Sequence, residues 1–381
     1  MKFSQFLNSS NEKECSRPLR ALIDLAAFKN NVAKTQSFVG NSNLVVVVKA
    51  DAYGHGLLEI ARAANGYQLA VAIPEELHQL RAAGIENKVW VLEGFFTRNC
   101  LTYTQSVVWC VHSLWQLELL KEMNEESLLA SLEVCIKLDT GMHRLGFNPS
   151  EFALVKQYFN DMPQLNLSSV MSHFSMSDQA DNPQVYSQIK YFDEVIRDQN
   201  WPSLKQSMAN SGAICFYPES YRDLVRPGVM LYGGSPAVNA HLPVSIEPVM
   251  SFLSAVIAVH HVKKGDSVGY GGTWIAEQDS VIATVAVGYA DGYPRHAPNG
   301  TPVAVLSSED GVADIVSLAG RVSMDMITVD VSSVKHIKIG EQVELWGKNV
   351  SVDLVAELSG TISYELLTSV SKRVPRIYKE S

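Results

Sequence analysis

Eight short runs rich in β-branched residues, set roughly 20 to 40 residues apart, constrain the first part of this chain more than any other feature. They are Leu44–Lys49, Leu69–Ile73, Val89–Leu92, Val107–Val111, Leu132–Leu138, Leu167–His173, Gln206–Asn210 and Leu224–Tyr232. Most of the gaps hold amphipathic stretches of helical length, such as Leu57–Ala64, Glu75–Ala83, Ser113–Met123 and Gln184–Arg197. Near-continuous apolar strands alternating with helices imply a parallel sheet covered on both faces. Eight such units fit a closed (β/α)8 barrel. An open doubly wound sheet would give the same alternation, because counting strands does not show closure.

The texture changes near residue 240. Strands follow one another without long helices at Leu253–Val262, Val281–Val287, Thr301–Leu306, Met326–Val331 and Gln342–Trp346. Turn clusters separate them, at Lys264-Gly265-Asp266, Pro298-Asn299-Gly300 and Glu309-Asp310-Gly311. One short helix is expected near Val352–Leu358. The expected organisation is a polar, flexible tail over residues 1–16, a barrel over 17–243 and a mostly-β domain over 244–381. A strand at Leu19–Leu25 could pair with either domain.

Composition narrows the class. Hydrophobic residues make up 46% and charged residues 19%, and the net charge is −9. An acidic chain without basic clusters carries no electrostatic footprint for nucleic acid. No stretch approaches the roughly 18 apolar residues of a membrane span, and the N-terminus lacks a signal-peptide core. The five cysteines, Cys15, Cys100, Cys110, Cys135 and Cys215, are odd in number, widely spaced and without CxxC. They signal no metal site and no disulfide framework. A cytoplasmic protein without a metal is expected.

The chemistry concentrates at strand ends. Val45-Val46-Val47-Val48-Lys49-Ala50-Asp51-Ala52-Tyr53-Gly54-His55-Gly56 places a lysine at the end of a buried apolar run. At the C-terminal mouth of a barrel that position reads as catalytic, and partial burial would free the amine as a nucleophile or base. On position alone, a lysine whose head snorkels to solvent is the favoured reading. The whole segment resembles the cofactor-attachment signature of the alanine racemases, barrel-type enzymes dependent on pyridoxal 5′-phosphate (PLP). The resemblance implies that Lys49 attaches the cofactor and that Tyr53 also contacts it.

Further motifs resemble that family in the same order. Lys137-Leu138-Asp139-Thr140-Gly141-Met142-His143-Arg144-Leu145-Gly146 is similar to its arginine loop. Arg144 is thereby implied to bind the cofactor's phenolic oxygen and the substrate carboxylate. Lys137 matches a lysine that some members carry as a carbamate. His173, in Ser172-His173-Phe174, would pack on the pyridine ring. Asn210 and Ser211, with Gly228 and Val229, match the phosphate-binding rim after the seventh and eighth strands. Arg226 matches an arginine at the pyridine nitrogen; it can only donate there, which keeps that nitrogen unprotonated. Alone, each of these residues reads as an ordinary rim or turn residue; their joint order carries the resemblance.

Racemisation exchanges a proton on both faces of a planar centre, so one base does not suffice. Ser267-Val268-Gly269-Tyr270-Gly271-Gly272-Thr273-Trp274 resembles the segment bearing the family's catalytic tyrosine. Tyr270 would be the second base, entering from the partner subunit of a homodimer. A phenol with an ordinary pKa of about 10 needs nearby positive charge for that task. Met324, in Gly320-Arg321-Val322-Ser323-Met324-Asp325-Met326, would offer its backbone N–H to the substrate carboxylate. Tyr364 would reach the phosphate. Asp178, Tyr289, Arg295, Arg321 and Ile362 match an entry corridor. The implied function is PLP-dependent interconversion of L- and D-alanine, either for D-alanine supply to a cell wall or for alanine catabolism. The alternatives are a racemase of serine or wider range, a PLP-dependent decarboxylase, a PLP carrier, and a barrel hydrolase or aldolase using Lys49 without PLP.

Overall fold

A computed structural model describes residues 17–123, 125–201, 203–237, 241–306 and 312–380. The expected tail with Cys15, and the turn cluster Glu309–Gly311, lie outside the described residues. The chain divides into two compact units. One comprises Lys29–Leu231 with Pro236–Ile246; the other comprises the described residues up to Phe28, Tyr232–Ser235, and those from Glu247 onward.

The first strand, β1 (Arg20–Asp24), belongs to the second unit and is taken up below. The first unit is a closed parallel barrel of β2 (Asn43–Val47), β3 (Gln68–Val71), β4 (Val89–Val91), β5 (Val107–Val111), β6 (Glu133–Lys137), β7 (Asn166–Met171), β8 (Lys205–Asn210) and β9 (Leu224–Arg226). β9 pairs back onto β2 through Asn43↔Leu224 and Leu44↔Val225. Closure thus decides for the barrel over the open sheet. Every residue of β4 and β5 is buried, as strands sandwiched between helices and a filled barrel interior must be.

The crossover helices follow from the sequence in the usual way. The helix Pro183–Asp198 buries Val185, Gln188, Ile189, Phe192, Val195 and Ile196, spaced to fall on one face. Its start is set by Asn182, whose side chain accepts the Gln184 N–H at 2.9 Å, and by Pro183 in the first turn. Each large apolar side chain on such a face contributes about 1.5–3 kcal/mol on burial.

Several strands end before the expected runs do, and two of these ends bear on the site. The apolar run 44–49 is strand only to Val47, and Lys49 opens a separate turn. The run 224–232 is strand only to Arg226, because Pro227 has no N–H to give the ladder; Val229–Tyr232 continues as a 3-10 turn.

The second unit is an eight-stranded sheet ordered β13-β16-β15-β14-β17-β10-β1-β18. Its strands are β10 (Met250–Val262), β13 (Ser280–Val285), β14 (Pro302–Leu306), β15 (Ala313–Leu318), β16 (Ile327–Asp330), β17 (Gln342–Trp346) and β18 (Arg376–Lys379). The short strands β11 (Ser267–Val268) and β12 (Trp274–Ile275) form a separate hairpin. β13 also pairs with β10, so six strands form a closed circuit. An irregularity between Val256 and Ala258 lets the long β10 serve different partners along its length. β1 pairs antiparallel with β10 and parallel with β18. The helix Val352–Leu358 is present, and a second, Ser363–Ser369, follows it. Among the described residues no helix is long and apolar enough to cross a membrane.

One loop ties neighbouring barrel strands together. Gly94, with φ of 73°, follows β4 so closely that a Cβ there would lie 2.1 Å from the Cys110 carbonyl oxygen and 2.5 Å from Gln116 Nε2. Buried Gln116 is committed at this point, donating to the Phe95 carbonyl and accepting the His112 N–H at 2.9 Å. Gly94→Ala is therefore expected to lower unfolding stability by about 2–4 kcal/mol in a denaturant titration, from backbone strain and displaced packing. A change under 0.5 kcal/mol would contradict this packing.

Candidate active site

The parallel barrel brings the C-terminal ends of its strands to one rim. The chain leaves β2 and enters a left-handed turn in which Ala50, Asp51, Ala52 and Tyr53 have φ of 54°, 54°, 52° and 52°. Non-glycine residues cost about 1–2 kcal/mol each in this region. Local bonds hold the turn: Ala52 N–H to Val48 O at 2.9 Å, Gly54 N–H to Ala50 O at 3.0 Å, and Leu57 N–H to Asp51 Oδ1 at 2.8 Å. Gly54 and Gly56, both at positive φ, return the chain to the right-handed helix Leu57–Ala63. Lys49 therefore stands at the head of a rigid, strained loop.

Basic groups crowd this rim. Burial lowers the pKa of the Lys49 amine, and Arg144 and Arg226 lower it further, while Glu93 and Glu76 act in the opposite sense. Lys137, the buried last residue of β6, is lowered to about 8, chiefly by burial and also by Arg226 and Arg144. Arg226, the buried last residue of β9, donates from Nη1 to Ser207 Oγ at 2.6 Å. Its Nη2 reaches Ser172 O at 2.7 Å, Met208 O at 3.2 Å and His173 Nδ1 at 3.2 Å. Burial lowers its pKa to about 10, which leaves it charged at neutral pH. His173 is held well below the ordinary imidazole value by burial, then by Arg226, Lys137, Arg144 and Lys49. It is neutral, and Nδ1 accepts from Arg226.

The arginine loop is built on Asp139. Its Oδ1 accepts the N–H groups of Gly141, Met142 and His143 at 3.0, 3.1 and 3.0 Å. Asp139 N–H to Phe147 O and Phe147 N–H to Lys137 O close its base. Arg144 projects from this loop, exposed, and makes no hydrogen bond or ion pair among the described residues.

Across the rim, Ser211 Oγ accepts the Gly228 N–H at 2.8 Å. A Cβ at Gly228 would lie 2.4 Å from Tyr53 Oη, so only glycine admits the tyrosine hydroxyl there. Tyr53, Ser211 and Gly228 thus share one small polar cradle, with buried Val229 next in sequence. Asn210 is occupied otherwise: its Oδ1 accepts from Ala213 N–H at 3.0 Å and Ser177 Oγ at 2.7 Å. Asp178 is exposed beyond β7.

These residues fit PLP. The group needs an amine with an accessible neutral form, donors for a phosphate, and a partner for a ring nitrogen. Lys49 supplies the first and the Tyr53–Ser211–Gly228 cradle the second. For the third, Arg226 Nε donates to no group among the described residues, while both its Nη atoms are engaged. Among the described residues no group of three His, Cys, Asp or Glu side chains is placed to hold a metal ion.

The other expected residues gather in the second unit. Tyr270 is 69% exposed on a 3-10 turn between β11 and β12. The Arg321 guanidinium lies beneath that turn, 3.5 Å from where a Cβ on Gly271 would be. Met324, also exposed, is fixed through its backbone: its carbonyl accepts the Ala290 N–H at 3.0 Å, and Ser323 O accepts the Tyr289 N–H at 3.1 Å. Tyr289 and Arg295 line a cavity of about 350 Å³ with Tyr293, His296, Thr361 and Glu365. Ile362, exposed, precedes the helix that carries Tyr364.

The sequence reading did not single out the charges that anchor this loop. Buried Asp291 accepts the Gly288 N–H at 2.8 Å, Arg17 Nη1 at 2.8 Å and Arg373 Nε at 2.6 Å. Arg17 and Arg373 also reach Asp325, next to Met324. No local signal joins these residues, which come from opposite ends of the chain.

The electrostatics can be measured directly. The Lys137 side-chain 13C resonance, assigned with Lys137→Arg, is expected to titrate with a midpoint of about 8 in the unliganded protein. A midpoint near that of an ordinary lysine, about 10.4, would contradict the burial and cationic surroundings described.

Comparison with known proteins agrees with this geometry. A model of the alanine racemase N-terminal domain matches residues 23–236, and one of the C-terminal domain matches 249–378. The alanine racemase of Hahella chejuensis is 41% identical over 372 residues, 95% of this chain and 98% of that protein. That of Shewanella sediminis is 43% identical over 366 residues, 93% of this chain and 97% of that protein. The crystal structure of the biosynthetic alanine racemase from Pseudomonas aeruginosa has a TM-score of 0.88 at 38% identity, covering 96% of this chain and all of that one. An alanine racemase from Bartonella henselae, crystallised with covalently bound pyridoxal phosphate, has a TM-score of 0.84 at 30% identity, covering 96% and 100%. With both domain models matched and full-length relatives at this identity, the chain belongs to the alanine racemase family.

Proposed function

We propose that this chain is a PLP-dependent racemase that interconverts L- and D-alanine, with Lys49 and Tyr270 as its two bases. The observation that carries the reading is the basic rim: a partly buried amine of lowered pKa, influenced by buried Arg226 and exposed Arg144, with a glycine-lined polar cradle on the same rim. When bound, PLP supplies the electron sink that makes the substrate Cα proton acidic. Lys49 would carry the cofactor, with Tyr53, Ser211, Gly228 and Val229 at its phosphate and His173 against its ring. Arg226 would hold the ring nitrogen as a donor only and would take no proton from it. That limits how far charge is drawn into the ring and favours return of the proton to Cα.

Arg144 is left with its donors available for the substrate carboxylate. Lys49, with burial favouring the neutral amine, takes and returns the proton on one face. Tyr270 serves the other face from the partner subunit of a homodimer; its exposure supports a role outside its own unit. Met324 N–H from that partner would complete the carboxylate site. Tyr270, Tyr364 and the corridor residues would exclude a bulky side chain, which favours alanine, although one extra hydroxyl alters pocket energetics by only about 1–3 kcal/mol, so serine is the substrate to compare.

The test is to incubate the protein and PLP with L-alanine, L-serine, L-lysine and L-arginine separately and quantify each D-enantiomer by chiral chromatography. Strong D-alanine formation is expected, abolished in Lys49→Ala and reduced at least 100-fold in Tyr270→Phe, the usual scale for loss of a general base. Normal turnover by Tyr270→Phe in both directions would remove the two-base assignment.

Lys137 is proposed to be carbamylated. Its neutral amine adds to the carbon of CO2: an N–C bond forms, one C=O π bond opens to leave its electron pair on oxygen, and one amine proton is lost to water. Because its pKa is about 8, the neutral fraction and hence the carbamate grow as pH rises through that value. With 13C-bicarbonate, a carbamate resonance absent from Lys137→Ala is expected to grow between pH 7 and 9, a window set around that pKa. No resonance across that range would remove the proposal.

A further inference from the structure

Glu76 anchors the turn that carries Lys49 from outside it. Glu76 lies in the first turn of the helix Pro74–Ala82, after β3, and is buried. Its Oε1 accepts the Ala50 N–H at 2.6 Å. Its Oε2 accepts the Ala72 N–H at 2.8 Å and the Ile73 N–H at 3.4 Å. One carboxylate thus joins the rim segment after β2 to the rim segment after β3. We propose that Glu76 is a positioning residue for the reaction, holding the Ala50 amide so that the left-handed turn keeps the Lys49 amine on target. This rests on the reading of Lys49 as a base.

The hydrogen-bond pattern supports it. Within the turn, the N–H groups of Ala52, Gly54, His55 and Gly56 are satisfied by carbonyls of residues 48 to 52, and Asp51 holds Leu57. The Ala50 N–H, on the peptide that follows Lys49, takes its acceptor from Glu76. Four consecutive non-glycine residues at φ near +53° will not hold that shape unless the surroundings over-determine it. Water could satisfy the Ala50 N–H but would not fix it in space. The carboxylate itself is held by two further N–H groups on a separate strand end, so its position is defined independently of the turn. Glu76 also opposes, with Glu93, the effects that lower the Lys49 pKa, so it acts on both the place and the charge of the amine.

The experiment uses the PLP-loaded wild type, Glu76→Gln and Glu76→Ala. Alanine racemisation is measured in both directions as kcat and KM. Residue-resolved amide hydrogen exchange is measured at Ala50 and, for reference, in β5 and β7. In Glu76→Ala, kcat is expected to fall about tenfold or more, the scale of a misplaced catalytic group, with KM changed less than about twofold. Ala50 exchange should accelerate while β5 and β7 stay protected. Glu76→Gln, with one acceptor oxygen left, should lie between the two; it also serves if the alanine variant does not fold. Unchanged kcat in a folded variant, or a loss of kcat with unchanged Ala50 exchange, overturns the proposal. A wild type that racemises no amino acid sinks the base assignment instead, and Ala50 exchange still decides whether Glu76 holds the turn.

Discussion

Burial of basic groups at one end of the closed barrel, sharpened by repulsion among Lys49, Lys137, Arg144 and Arg226, governs this site. Guanidinium groups keep their charge, so the strain falls on the groups able to yield. His173 yields completely and becomes an acceptor for Arg226. Lys137 yields to about 8, and Lys49 is lowered as well. What remains is a positive surplus that only anions can quiet. A phosphate, a substrate carboxylate and a carbamate on Lys137 would each do so, so the demand for anionic ligands follows from the residues themselves.

The barrel supplies the rigidity that such crowding needs. The basic residues stand at or just beyond the ends of β2, β6 and β9 or on the loop after β6, in positions set by a ladder that has no free edge. The loops that carry Lys49 and Arg144 are in turn fastened by single carboxylates, Glu76 and Asp139, each accepting three backbone N–H groups. Asp291 does comparable work for the Met324 loop in the second unit, with arginines in place of most amides.

Much of this was legible in the sequence. The eight barrel strands announce themselves because strands buried on both sides must be apolar throughout, as in Val107–Val111. The site residues are legible by order and resemblance, since Lys49, Arg144, His173, Ser211 and Arg226 each stand at or just after a strand end. The left-handed turn was not, because Ala50, Asp51, Ala52 and Tyr53 carry no preference for that conformation; only Gly54 and Gly56 hint at it. β15 escaped notice because only two of its six residues are buried. The partners of Asp291, Arg17 and Arg373, are joined by folding alone, and no local pattern marks a contact between chain ends.

The position of β1 has a consequence for how this protein is made. Its two neighbours, β10 and β18, come from the late part of the chain. The barrel's last strand, β9, precedes both in the chain, so the barrel can close while β1 waits as an unmatched strand with exposed backbone groups. The sheet is completed only when β18, at the end of the described chain, adds its edge. Synthesis thus imposes an order on assembly, with the basic rim built first and the tyrosine-bearing unit sealed last.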